Sequence, residues 1–461
     1  MPSHTIKTTK GGNMSEAITD YARVSSQTQD VEQQDIEQAT IAKISYRLIP
    51  FLVIAYFFCM LDRVNVSFAA LTMNADLGFS PLVYAWGAGI FFIGYFILEI
   101  PSNLALHRFG ARRWIARIMI LWGVISAAMA FVTGSSSFYT VRFLLGLAEA
   151  GFFPGIILYL THWFPAQYRA RVMSSFIVGA PLSAVLGGPV CGLLLGLDGV
   201  LGIKGWQWLF ITEGVPSVIL GVVALFYLQD RPSDAKWLSP AQKAWLETRL
   251  TNERASVETA HKYTLGQALR SPKVMLLGII YFGLLAGLYG VQFWLPQIVK
   301  GFGLSNLQTG FISAVPFGFG ALAMVFWGAR SDRKRERVWH IVVALVVSAA
   351  ALAASAYGGN LVVTMLTLIV ASMAGFAAFG LFWTLPSALL TGAAAAGGLA
   401  LINSIGSLAG FGGPYLIGWI KDGTGSTVGG LLFLSVLPLL AAMLVLFLGH
   451  DGEAEFGPRR H

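Results

Sequence analysis

The chain has 461 residues, of which 56% are hydrophobic and 12% charged, about half the charged share of a soluble domain. So few charges cannot solvate the surface of a soluble protein of this size, which excludes the three soluble domains that length alone suggests. The net charge of +8 therefore raises the question of where basic residues sit against a bilayer, and nucleic acid is not an expected partner.

Residues 1–45 are polar and carry neither the apolar stretch nor the small-residue cleavage site of a signal peptide. They read as a disordered cytoplasmic tail. About 20 apolar residues cross a bilayer as a helix, and on that basis the sequence predicts six spans at 46–70, 83–106, 114–133, 138–160, 172–196 and 207–228. A polar linker follows over 229–272, with helical spacing from Trp245 to Arg254. It is too short for a folded extramembrane domain. Six more spans are predicted at 273–296, 309–329, 338–357, 361–386, 397–420 and 427–449, before a short tail over 451–461. The expected fold is an all-α integral membrane protein with twelve transmembrane helices in two six-helix halves, 46–228 and 273–450.

Of the 31 basic residues, Arg63 and Arg142 lie inside spans, and Lys204, Lys300 and Lys421 lie in loops of one face. The other 26 fall in the termini, the linker and the loops after spans two, four and eight. That asymmetry predicts a multi-pass protein of the cell's inner membrane with both termini cytoplasmic, which requires an even number of spans. The halves also match at one offset of 225 residues: Gly78-Phe79-Ser80 with Gly303-Leu304-Ser305, His107-Arg108 with Asp332-Arg333, and Gly187-Gly188-Pro189 with Gly412-Gly413-Pro414. Matches at equivalent spans argue for a duplication with parallel halves. The two Gly-Gly-Pro runs are expected to bend spans five and eleven, although packing alone would also account for them. Gly146, Gly151 and Gly155 are expected to let span four approach a neighbour closely.

Function is sought in the ionisable residues inside spans, because each is costly there. Span one holds Asp62 and Arg63, and span four holds Arg142 and Glu149, two helical turns apart on one face. These four form either a structural ion-pair network or a substrate-and-proton site, and the second reading is favoured. Arg63 offers a planar two-donor fork for a carboxylate. Asp62 and Glu149 are the candidate proton carriers, since burial and a neighbouring Arg act on a carboxyl in opposite directions. Glu99 is read as structural or gating, and Glu213 as interfacial or paired with a helix end. Tyr95 sits mid-span beside Gly94, placed to face a central cavity. Cys59 and Cys191 give no metal or disulfide spacing and read as small core hydrophobes.

Three stretches carry a family resemblance: Leu61-Asp62-Arg63-Val64-Asn65, the run from Tyr95 to Asn103, and Arg142 to Gly155. With twelve spans and Gly328-Ala329-Arg330-Ser331-Asp332-Arg333-Lys334-Arg335 after span eight, the chain resembles the major facilitator superfamily. Within it, the chain is similar to the anion:cation symporters, among them bacterial permeases for tartrate, phthalate, hydroxyphenylacetate and sugar acids. The resemblance implies proton-driven uptake of a small organic acid by alternating access, with no cofactor other than the coupling proton and the chain working as a monomer. It implies that Arg63 binds the substrate carboxylate, that Asp62 and Glu149 take the proton, and that Arg142 pairs with these acids. It further implies that Tyr95, Gln292, Trp383, Thr384 and Asn403 line the cavity, and that Asp332 and Arg333 belong to an ion-pair or gating motif. The loop after span two carries Asn103 and His107 where the wider superfamily motif has Gly and Asp, a departure that bears on gating there. Gln292 stands where some animal relatives carry a basic residue in span seven, so a dicarboxylate clamp by two arginines of opposite halves is not expected. The alternatives are an organic-anion exchanger or exporter and, from another class, a membrane-embedded enzyme. The enzyme reading lacks a nucleophile–base pair or cofactor motif.

Overall fold

A computed structural model of the chain describes residues 14–258, 270–389 and 393–448. The remaining residues, including all of the expected C-terminal tail and the start of the N-terminal one, lie outside the described residues. Among the described residues every regular element is helical, and eleven helices are long and apolar enough to cross a membrane. The remaining span is divided into Ala393–Ser407 and Ala409–Thr424, each too short to count alone.

Residues 14–45 do not form the expected disordered tail. A single helix runs Met14–Val64, carrying span one well beyond the apolar segment. The physical reason is local: from Met14 to Ile49 the sequence has no Gly or Pro, and its Gln, Glu and Ala residues are good helix formers. Thr40, Ile44 and Leu48 of this helix are buried. The linker helix is also longer than the spacing suggested, Pro240–Glu258. Arg169, at the start of span five, joins it through Glu253 at 3.0 Å.

The duplication is visible at the starts of spans two and eight. Gly78 and Gly303 both take the left-handed backbone, with φ of 66° and 83°. Ser80 and Ser305 then cap the helices, each accepting at 3.2 Å from the backbone N–H three residues on. The glycines of span four do what close approach requires: a Cβ on Gly146, Gly151 or Gly155 would meet Phe91, Ser102 or Leu106, all of span two.

The two Gly-Gly-Pro runs do not interrupt their helices. Span five breaks at Val178 and span eleven at Leu408, while both runs continue inside helices Gly179–Leu195 and Ala409–Thr424. Their glycines serve packing: a Cβ on Gly188 would lie 2.5 Å from the carbonyl oxygen of Gly310 in span eight, and one on Gly413 would lie 2.7 Å from that of Ala286 in span seven. The Gly188–Gly310 approach joins the two halves near the membrane face away from the termini. On that same face Tyr84 Oη donates to the Phe293 carbonyl at 2.7 Å, and a Cβ on Gly418 would meet Ala85. The halves are thus closed together on the face away from the termini.

Candidate functional site

Spans one and four both break where their charged residues sit. Helix Met14–Val64 ends one residue past Arg63, and a second helix, Val66–Leu77, follows Asn65. Helix Ser135–Glu149 ends on Glu149, and Phe152–Thr161 resumes after Gly151, whose φ is 86°. A side chain at Gly151 would be strained by that φ and would also collide with Ser102.

Across this pair of breaks Arg63 forms an ion pair with Glu149, its Nε donating at 3.0 Å and its Nη2 more closely to the same Oε1. Cys59 Sγ donates to that oxygen too, at 3.3 Å. Glu149 is fully buried, and its Oε2 has no hydrogen-bond partner. The Arg63 guanidinium lies 5.1 Å from the Tyr95 ring centroid and 5.4 Å from that of Phe91, a cation–π setting that lessens its desolvation. The expected pairing of spans one and four is therefore present, carried by Arg63 and Glu149.

Asp62 and Arg142 are placed differently from the expected four-member network. The Asp62 carboxylate turns toward spans three and six, accepting from Ser126 Oγ at 2.7 Å, Ser217 Oγ at 2.9 Å and Trp122 Nε1 at 3.0 Å. These neutral donors satisfy it without a cation. Arg142 pairs with neither acid. Its Nε and Nη2 donate to the backbone carbonyls of Gly87 and Ala88 in span two, and its Nη1 has no partner. Packing of span four on span two brings these carbonyls to it.

Two further acids are buried. Glu99 accepts from Asn403 Nδ2 at 2.6 Å and Ser404 Oγ at 2.5 Å, so it reaches from span two of one half to span eleven of the other. Glu213 is not interfacial: it is 2% exposed, with Cys191 Sγ donating to Oε1 at 3.2 Å and Oε2 unpartnered. Both cysteines therefore donate to buried glutamates, a role that a reading as inert hydrophobes misses. The pairs lie 90 and 22 residues apart, and sequence spacing holds no signal for them.

Of the remaining expected site residues, Tyr95 is buried beneath Arg63. Gln292 lines a small inter-half cleft with Leu61, Ser67, Ser183 and Phe317. Trp383 packs edge-on to Tyr281 at 5.0 Å, and the Thr384 hydroxyl donates to the Leu381 carbonyl of the preceding helix at 2.7 Å. Asp332 pairs with Arg337 in the loop after span eight, and Arg333 is exposed beside it. Neither is brought to the central site.

The family model described as Major Facilitator Superfamily matches residues 52–414. A protein of Agrobacterium vitis named "Putative tartrate transporter" is 51% identical over 91% of this chain and 94% of its own. The "Quinolone resistance transporter" of Acinetobacter baumannii is 42% identical over 89% and 95%. Among solved structures, an inward-facing bacterial homologue of the human lysosomal transporter Spinster superposes with a TM-score of 0.71 at 17% identity, covering 88% of this chain and 98% of that one. That likeness concerns the fold.

Proposed function

The chain belongs to the major facilitator superfamily, and from that premise we propose that it takes up a small organic anion, a carboxylate, by proton-coupled symport with alternating access. The observation that carries this reading is the buried Arg63–Glu149 ion pair between spans one and four. Removing one partner of a buried ion pair costs about 3–5 kcal/mol. Among the described residues Arg63 has no backbone carbonyls of the kind that hold Arg142, so Arg63 holds either Glu149 or another carboxylate. Protonating Glu149 cancels its charge and releases the guanidinium fork, which then grips the carboxylate of the substrate. Proton and anion are thereby required together. Arg142 adds positive charge nearby without an ion pair of its own.

Asp62 is the second proton-binding candidate in this reading. Protonation there would loosen the clamp of spans three and six on span one rather than free Arg63 directly. Tyr95, Gln292, Trp383, Thr384 and Asn403 are assigned to the wall of the substrate path, and Asp332 and Arg333 to a gating loop. The basic-residue bias supports an inner-membrane location with cytoplasmic termini. The name of the A. vitis relative supports a carboxylate as cargo.

Proteoliposomes given an acid-outside pH gradient and labelled tartrate test the proposal. Accumulation that collapses on adding a protonophore is expected; uptake indifferent to the gradient overturns proton coupling. The name of the A. baumannii relative supports a second reading, export of an organic anion such as a quinolone. That reading predicts efflux of the drug from preloaded vesicles and no tartrate accumulation.

A further inference from the structure

Glu99 has no evident use in the exchange at Arg63. Its carboxylate is fully buried, and among the described residues no cation lies within salt-bridge distance. A buried carboxylate without a cation must be satisfied by neutral donors. Two are supplied, and both come from the opposite half: Asn403 Nδ2 and Ser404 Oγ of span eleven. A carboxylate has about four acceptor positions, so the group keeps capacity for further donors.

The position of Glu99 relates it to the carboxylate site. Tyr95, whose ring lies under the Arg63 guanidinium, is four residues earlier on the same helix, Pro81–Phe109. Residues at that spacing lie on one face, about 6 Å apart along the axis. An acid whose carboxylate is held at Arg63 would therefore present hydroxyls on its next carbons toward Glu99. A hydroxyl placed there would be accepted as a donor, whereas a methylene would leave the remaining acceptor positions of the carboxylate unfilled.

We propose that Glu99, oriented by Asn403 and Ser404, is a hydroxyl-reading subsite one helical turn from the anion site, and that it selects hydroxylated carboxylic acids over unsubstituted ones of equal charge. The inference rests on the reading of Arg63 as the carboxylate anchor. Because the partners of Glu99 come from the other half, substrate hydroxyls joining this group bear on both halves at once. Hydrogen bonds to a charged acceptor are the stronger kind and lose most when one partner is missing.

Tartrate and succinate form the matched pair for the test: four-carbon diacids of equal charge, differing only in two hydroxyls. Binding of each to the purified full-length protein is measured by calorimetry, for the unaltered chain and for Glu99→Gln. The unaltered chain is expected to prefer tartrate by about tenfold or more, and Glu99→Gln to bring the ratio to within about threefold of one. Should Glu99→Gln fail to fold by size exclusion and thermal melt, Ser404→Ala, which frees one side of the carboxylate, is expected to narrow the ratio in the same direction. Equal binding of the two acids to the unaltered chain overturns the proposal while leaving the role of Arg63 intact, as does a ratio unchanged in both variants. Binding of neither acid overturns the carboxylate reading, and this inference with it.

Discussion

Asp62 and Arg63 are consecutive residues whose charged groups leave the helix toward different spans. The Asp62 carboxylate is held by Trp122, Ser126 and Ser217, while the Arg63 guanidinium crosses to Glu149. Neighbouring positions on a helix point about 100° apart, so one helix presents an anchored acid to its own half and a base to the centre. The division separates two tasks that a shared ion pair would have confounded.

Arg63→Ala is therefore expected to abolish uptake, because the guanidinium that holds the substrate carboxylate is gone, while the protein remains folded. Arg63→Lys keeps the charge but loses the two-donor fork, and is expected to weaken carboxylate binding by about tenfold. Uptake assays run beside size exclusion check both. Substantial uptake by Arg63→Ala would remove Arg63 from the anchoring role.

Asp62→Ala is expected to act on stability. Each hydrogen bond to a buried charge is worth about 1.5–3 kcal/mol, and three elements converge here. Asp332→Ala removes a partner of Arg337 in an exposed pair, of a kind worth about 0–1 kcal/mol. The detergent melting temperature should fall clearly for the first and hardly at all for the second. The reverse order would show that the Asp62 clamp is not structural.

The close approach of Gly188 and Gly310 offers a handle on conformation. Gly310→Ala puts a methyl group against the Gly188 carbonyl and should push the halves apart on the face away from the termini. A cysteine introduced by Asn306→Cys reports this, because Cys59 and Cys191 are both buried. Its labelling by a membrane-impermeant maleimide should rise when Gly310→Ala is added. Labelling that stays constant would mean that the contact does not hold the closed face.

The spans and the gathering of charge in spans one and four were legible in the sequence for one reason: the bilayer makes apolar length obligatory and intramembrane charge costly. Which base meets which acid was not, because the resemblance gives the acids to Arg142 and the structure gives Glu149 to Arg63. What stayed hidden depended on neutral or distant partners. Trp122, Ser126 and Ser217 are ordinary residues in apolar helices, and nothing in their spacing points to Asp62. Glu99 meets Asn403 and Ser404 across 304 and 305 residues. The helix breaks carry no proline signal. Pro189 and Pro414 lie inside continuous helices, while the chain breaks at Asn65, Val178 and Leu408. The helical stretch over 14–45 was missed because a polar composition was weighed above helix propensity.

The claim that matters most is that Glu149 passes Arg63 to the substrate by taking a proton. Glu149→Gln fixes that position in a neutral form, and the variant separates exchange from accumulation in one preparation. In proteoliposomes loaded with unlabelled tartrate, Glu149→Gln should still exchange it for labelled tartrate. Under an acid-outside gradient into empty vesicles, the same preparation should fail to accumulate the label. Gradient-driven accumulation by Glu149→Gln at the level of the unaltered chain would contradict the account.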